Sequence, residues 1–168
     1  METEGKHGMA KVWLVTGADG ALGRSIVAAA AASGAVVVAA AREPESVYDL
    51  VGAFPRQVEA LGFAPERADH AVAGILGYHH RLDVLVNTTS DRAIEDAVLT
   101  HFSAQRSGAI VRPDAAAEPW EAADAIVAAH TEAGSRPKGL QPLGSRAVFR
   151  PTAGKCGKRE STATRRSA

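Results

Sequence analysis

Three glycines follow the first apolar run of the chain at intervals of three residues. The segment VTGADGALGRSIV, residues 15–27, places them at Gly17, Gly20 and Gly23. Between a strand and a helix, the first glycine permits a tight turn, the second lets backbone amides approach a phosphate, and the third lets the helix pack on the strand. The helix N-terminus also favours anions. The spacing predicts a turn that binds the phosphates of a nucleotide, and the alternative is a glycine-rich turn without a ligand.

The turn needs a strand before it and a helix after it, and the rest of the chain repeats that alternation. Apolar runs and helical patterns, separated by glycine and proline, predict strands over 11–16, 35–41, 57–63, 82–87 and 108–111, and helices over 20–33, 44–54, 64–80, 93–105 and 120–134. Alternating strands and helices predict an α/β fold with a doubly wound, Rossmann-like parallel sheet in three layers. The glycine turn then lies at the carboxyl edge of the sheet.

The chain is predicted to form one domain over residues 1–149, followed by a basic tail over 150–168. Residues 138–144 could add a last edge strand, because Pro142 is poorly tolerated in a central one. From Arg150 onward the residues are small and polar, with six basic side chains and one acidic one, which predicts disorder. Residues 1–149 carry 13 basic and 18 acidic side chains, so the predicted domain is acidic.

Two segments resemble the short-chain dehydrogenase/reductase family, whose members are nicotinamide-dependent oxidoreductases on a Rossmann fold. KVWLVTGADGALGR is similar to the family's Thr-Gly-x-x-x-Gly-x-Gly turn, and RLDVLVNTTS to the segment that ends in Asn-Asn-Ala-Gly. Ala21 stands where a glycine is usual, and Thr88, Thr89 and Ser90 replace Asn-Ala-Gly. The resemblance covers residues 11–111 and, more weakly, 118–148, so the chain is similar to a truncated family member.

The resemblance implies a set of residues that bind the cofactor. In the order of the chain they are Thr16, Gly17, Asp19, Gly20, Ala21, Leu22, Gly23, Arg42 and Asn87. Arg42 directly follows the second strand, where an arginine pairs with the 2′-phosphate of NADP and an acidic residue binds the ribose of NAD. Arg42 therefore favours NADP(H) over NAD, with Glu43 as the competing residue.

The family's catalytic residues do not appear in the sequence. Its members use a tyrosine as the proton donor or acceptor and a lysine four residues later that lowers the tyrosine pKa. Here Gly52 follows Tyr48 at that distance, and Leu82 follows Tyr78. The cluster of Tyr78 with two histidines precedes a strand, which predicts a position at the amino edge of the sheet, opposite the glycine turn. No catalytic residue is assigned, and enzymatic competence stays open.

Composition excludes several other classes of protein. Cys156 is the single cysteine, which excludes an internal disulfide and zinc-type cysteine spacing and favours a reducing cytoplasm. No apolar run approaches the roughly 20 residues that cross a bilayer, so no membrane partner is expected. The basic tail could touch nucleic acid only nonspecifically, and the acidic domain would oppose that contact. No metal site is predicted.

Two functions remain from the sequence. The first is an NADP(H)-binding oxidoreductase that transfers a hydride between the cofactor and a small alcohol or carbonyl substrate. The alternative is a non-catalytic nucleotide-binding or interaction module, which pairs with a copy of itself or with a longer partner. An exposed apolar face on the helix over 93–105 would favour such pairing.

Overall fold

Five parallel strands form one sheet in the order β3-β2-β1-β4-β5. The computed structural model describes residues 9–114 and 116–131. The strands are β1 (Val12–Thr16), β2 (Val36–Ala41), β3 (Val58–Gly62), β4 (Val84–Asn87) and β5 (Ala109–Val111). The helices are α1 (Ala21–Ala32), α2 (Tyr48–Ala53), α3 (Ala68–His79), α4 (Arg92–Gln105) and α5 (Pro119–Thr131). Because β2 and β4 flank β1, the strand order reverses between β1 and β4, which is where such sheets bind ligands.

Helices cover both faces of the sheet and make three layers. Side chains alternate along a strand, so Trp13 and Val15 point to one face of β1, and Val12 and Leu14 to the other. The first face packs against α1, α2 and α5, and the second against α3 and α4. All five side chains of β1 are buried, as expected for a central parallel strand. The predicted α/β fold with a doubly wound sheet is confirmed. The first five predicted strands and the five predicted helices are also found, the last helix as far as residue 131, where the described residues end.

Proline begins two of the connections that the sequence predicts as single helices. A 3-10 turn over Pro44–Val47 precedes α2, and another over Pro65–Arg67 precedes α3. Proline has a fixed φ and no amide hydrogen, which suits the first position of a helical turn. The predicted helices over 44–54 and 64–80 are therefore each a 3-10 turn followed by an α-helix.

The apolar side of α4 packs inside the chain. Ile94, Val98 and Phe102 are buried against the sheet and α3. The exposed apolar face that would have favoured pairing with another chain is therefore not found on these three residues. The predicted edge strand over 138–144 and the tail over 150–168 lie outside the described residues.

Within residues 9–114 and 116–131, no helix is long and apolar enough to cross a membrane. In the same ranges, no three His, Cys, Asp or Glu side chains are grouped so that they could hold a metal ion.

Arg106, the residue directly after α4, provides a test of backbone strain. Its φ is +56°, a left-handed conformation that costs an L-residue about 1 kcal/mol and that glycine adopts freely. The side chain is exposed. Arg106→Gly is expected to raise the free energy of unfolding by about 0.5–1 kcal/mol in urea denaturation. Arg106→Ala keeps the strain while removing the same side chain, so an equal gain in that variant would contradict the explanation.

Candidate nucleotide-binding site

The glycine turn joins the carboxyl end of β1 to α1, as predicted. Gly17 has a φ of +61°, and the amide of Gly20 donates to the carbonyl of Gly17 at 3.1 Å. A β-carbon on Gly23 would lie 2.1 Å from the carbonyl oxygen of Gly17 and 2.8 Å from the α-carbon of Ala18. Gly23 therefore allows the first turn of α1 to close directly onto the end of β1.

The N-terminus of α1 has the properties of an anion site. Gly20 is the N-cap, so no side chain caps the helix, and no acidic residue lies in the first helical turn. The first amides of any helix have no acceptor within it, and here they are those of Ala21, Leu22 and Gly23. Asp19 is exposed in the turn and is the one negatively charged member of the predicted set. The backbone at this turn thus presents donors to a ligand at the carboxyl edge.

Arg42 lies where β2 ends at the same edge of the sheet. Its side chain is exposed, and it has no hydrogen bond or ion pair to another residue of the described ranges. Glu43 is also exposed, and its carbonyl accepts from the amide and hydroxyl of Ser46 at 3.1 and 2.6 Å. Gly62 ends the neighbouring β3, and a β-carbon there would lie 3.6 Å from Pro44. The guanidinium of Arg42 is consequently available for an anion.

A group of hydroxyls connects β1 to β4 at the point of strand-order reversal. The hydroxyl of Thr88 donates to the carbonyl of Thr16 at 2.7 Å, and that of Thr89 to Oδ1 of Asn87 at 3.1 Å. Thr16 also donates to Asn87 Oδ1, at 3.0 Å. We call Thr88 and Thr89 with these bonds the threonine bridge. Thr16 and Asn87 are buried beneath it, so the structure places the two predicted residues together.

A buried carboxylate supports Asn87 from α4. Nδ2 of Asn87 donates to Oε1 of Glu95 at 2.8 Å and to the carbonyl of Asp91 at 2.8 Å. Arg112 follows β5, and its Nε donates to Oε1 of Glu95 at 2.6 Å, with a second contact from its terminal nitrogen to Oε2. The Arg112 hydrogen bonds hold the pKa of Glu95 below its ordinary value, although burial acts in the opposite direction. Sequence reasoning missed Glu95 and Arg112.

The tyrosines and histidines do not form a catalytic group at this edge. Tyr48 and Tyr78 are 55% and 74% exposed. Tyr78 and His79 end α3 at the opposite edge, where His79 lies 3.0 Å from Glu59. Lys11, the one lysine in the described ranges, precedes β1 at that opposite edge and donates to the carbonyl of His130. A tyrosine–lysine pair is therefore not present at the carboxyl edge within residues 9–114 and 116–131.

Solved structures of short-chain dehydrogenases share this fold. The chain is 30% identical to one from Streptomyces avermitilis, with a TM-score of 0.57 over 72% of this chain and 58% of that one. ElxO with NADP bound is 18% identical, with a TM-score of 0.55 over 72% and 64% of the two chains. A NAD+-bound xylitol dehydrogenase is 16% identical, with a TM-score of 0.55 over 71% and 60%. At the two lower identities the likeness is one of fold.

The chain matches only part of the length of these relatives, and a family sequence profile matches more than half of the chain. The chain spans 58% of the Streptomyces protein and 64% of ElxO. No curated protein matches it in sequence. The sequence profile of the short chain dehydrogenases matches residues 11–100, which is more than half of the 168 residues and runs from β1 into α4. With the parallel sheet and the glycine turn in place, the chain belongs to the short-chain dehydrogenase family.

Proposed function

We propose that the chain binds a nicotinamide dinucleotide at the glycine turn and prefers NADP(H) to NAD(H). The close contact of Gly23 with Gly17 carries this proposal, because it places the start of α1 directly against the end of β1. No side chain caps the helix there, so its first amides can bind a phosphate. The proposed binding residues are Thr16, Gly17, Asp19, Gly20, Ala21, Leu22, Gly23, Arg42 and Asn87. Thr16 and Asn87 would act from beneath, because both are buried and bonded to each other.

The preference for NADP(H) depends on Arg42. Its exposed guanidinium at the end of β2 suits a 2′-phosphate, which a planar cation can bind through two hydrogen bonds. Among the fold neighbours, one structure contains NADP and another NAD+, so the neighbours do not decide the choice. A bound nicotinamide dinucleotide would supply a hydride donor or acceptor for an alcohol or carbonyl substrate. The chain's own residues would bind and orient it.

A second candidate is a nucleotide-binding module without catalytic activity. It is favoured because the described ranges lack a tyrosine–lysine pair at the carboxyl edge. Such a module could act alone or pair with another chain. We further propose one domain over residues 1–149 with a separate basic tail, and a cytoplasmic location, which rests on the single cysteine.

Arg42→Ala tests the cofactor preference. We expect the dissociation constant for NADPH to rise about tenfold, because a charge-assisted contact with the 2′-phosphate is worth about 1.5–3 kcal/mol. The constant for NADH should stay unchanged, because NADH has no 2′-phosphate. Cofactor fluorescence on titration with the full chain measures both constants.

Arg56→Ala is the matched control. Arg56 is also exposed, but it precedes β3 and therefore lies at the opposite edge of the sheet. The control should leave both constants unchanged. Equal weakening of NADPH and NADH by Arg42→Ala would contradict a phosphate contact, and failure of the parent chain to bind either cofactor would contradict dinucleotide binding.

A further inference from the structure

The two halves of the carboxyl edge differ in how open they are. Over β2, the exposed Arg42 has no bonded partner in the described part of the chain. At the boundary between β1 and β4, the threonine bridge occupies the point where the strand order reverses. Doubly wound sheets hold a dinucleotide across that point, with the phosphates at the first helix. The bridge therefore lies where the second half of a dinucleotide would have to pass.

The threonine side chains are in close contact with the turn. A β-carbon on Gly17 would lie 2.3 Å from the hydroxyl of Thr88 and 2.9 Å from the methyl group of Thr89. The space beside Gly17 on the β4 side is thus already filled by these two side chains. A ligand that needs this space has to displace them.

Displacement is opposed by hydrogen bonds and by side-chain stiffness. Thr88 donates to the carbonyl of Thr16, and Thr89 bonds to Asn87, so the hydroxyls of the bridge already have acceptors within the protein. Threonine is β-branched and has few χ1 alternatives. Asn87 is itself fixed by Glu95 and the carbonyl of Asp91. The bridge is anchored to a buried network and is expected to stay in place.

Two polar residues, Ser90 and Arg112, lie beside the bridge at the carboxyl edge. Ser90 is exposed and has a φ of +58°. Arg112 is 59% exposed, and its charge is already paired with Glu95. An apolar or aromatic platform for a flat ring is not found among these residues. The uncapped amides of α1 and the exposed Arg42 both lie on the side of β2 and the glycine turn.

We propose that this chain recognises the 2′-phosphorylated adenosine diphosphate half of NADP, and that the nicotinamide riboside half adds nothing to the affinity. This inference rests on the proposed binding at the glycine turn and narrows it to a nucleoside diphosphate with an additional phosphate. The threonine bridge distinguishes this site from one that binds a complete dinucleotide, because it fills the space beside Gly17 on the side of β4.

Calorimetric titration of the full chain with three ligands tests the inference. NADP+ and adenosine 2′-phosphate 5′-diphosphate should bind with dissociation constants within roughly threefold of each other, whereas nicotinamide mononucleotide should not bind. NADP+ binding at least about tenfold tighter than the adenosine ligand would overturn the inference while leaving the proposed function intact. If neither NADP+ nor the adenosine ligand binds, the proposed function is overturned, and the inference with it.

The double substitution Thr88→Ala and Thr89→Ala tests the part played by the bridge. We expect tighter binding of NADP+ by a factor of about three or more, with the adenosine ligand unchanged. Thr100→Ala is the control, because Thr100 is exposed on α4 and its hydroxyl donates to the carbonyl of Asp96. Thermal unfolding confirms that each variant is folded. Equal changes for both ligands would overturn the assignment to the bridge, and the comparison on the parent chain stands if the double variant does not fold.

Discussion

Replacing Gly23 by alanine is expected to lower the free energy of unfolding by about 3 kcal/mol, the upper part of the range for overpacked sites. The new β-carbon would lie 2.1 Å from the carbonyl oxygen of Gly17 and 2.8 Å from the α-carbon of Ala18. Both are backbone atoms, so no flexible side chain can move away. Relief requires α1 to move away from β1, and α1 also packs against α5 and the sheet. Urea denaturation followed by circular dichroism measures the loss.

Gly74→Ala is the matched control in another helix. Gly74 lies in the middle of α3, and a β-carbon there meets nothing within 4 Å. Alanine is favoured over glycine in a helix interior by about 1 kcal/mol, so this variant should gain stability. The two substitutions make the same chemical change with opposite expected signs. A gain at Gly23 comparable to that at Gly74 would show that α1 does not depend on close approach to β1.

The sequence predicts the strands and helices because the signals for them are local. Gly17, Gly20 and Gly23 mark one strand–helix junction, and Pro44 and Pro65 mark the starts of two others. Buried strands of a parallel sheet read as continuous apolar runs, which β1, β2 and β4 show. The weaker run at residues 57–63 still forms β3, because pairing with β2 supplies what the local pattern lacks.

The polar contacts of the candidate site could not be predicted in the same way. Thr88 and Thr16 are 72 positions apart, and their bond depends on the register that sets Thr16 beside Asn87. Glu95 and Arg112 meet only because β5 pairs with β4 and brings residue 112 back toward α4. A glutamate on a helix is ordinarily placed on its solvent side, and nothing in its local sequence indicates burial.

The resemblance to the family implied a role for the end of β4 but did not indicate the contacts that the side chains make there. It implied that Asn87 lies at the cofactor site, and the structure buries Asn87 between Thr16 and Glu95. The replacement of Asn-Ala-Gly by Thr88, Thr89 and Ser90 is visible in the sequence. Its consequence becomes apparent only when the hydroxyls are seen to bond across to β1. The proposal about the ligand therefore depends on the departure from the family pattern as well as on the agreement with it.

Replacing Arg112 by alanine is expected to lower the free energy of unfolding by about 2 kcal/mol at pH 7. Removing one partner of a fully buried ion pair costs about 3–5 kcal/mol, because the other charge is left without compensation. Here the side chain of Glu95 is 6% exposed, but that of Arg112 is 59% exposed. Water therefore screens part of the interaction, and the expected loss is smaller than for a fully buried pair. Urea denaturation at pH 7 gives the value.

The pH dependence of the stability lost in Arg112→Ala tests whether the buried charge of Glu95 causes that loss. In the parent chain the pKa of Glu95 is lowered chiefly by Arg112, so the pair stabilises the fold above the pKa of the unfolded chain, and that stability is lost as the pH falls through the folded pKa. Without Arg112 the largest cause that lowers the pKa of Glu95 is gone while burial still acts to raise it, so less stability is lost through this carboxylate as the pH falls. Arg112→Ala should therefore be less destabilising near pH 4 than at pH 7.

A second substitution at Glu95 separates the buried charge from the loss of packing. Glu95→Gln combined with Arg112→Ala leaves an amide oxygen that can still accept from Asn87, and leaves no carboxylate to bury. At pH 7 the double variant should recover much of the stability that Arg112→Ala loses. Between pH 7 and 4 its difference from the parent should shrink less than that of Arg112→Ala, because only the titration of Glu95 in the parent contributes to it. If the single variant loses the same stability at both pH values, then the buried charge of Glu95 is not the cause of the loss.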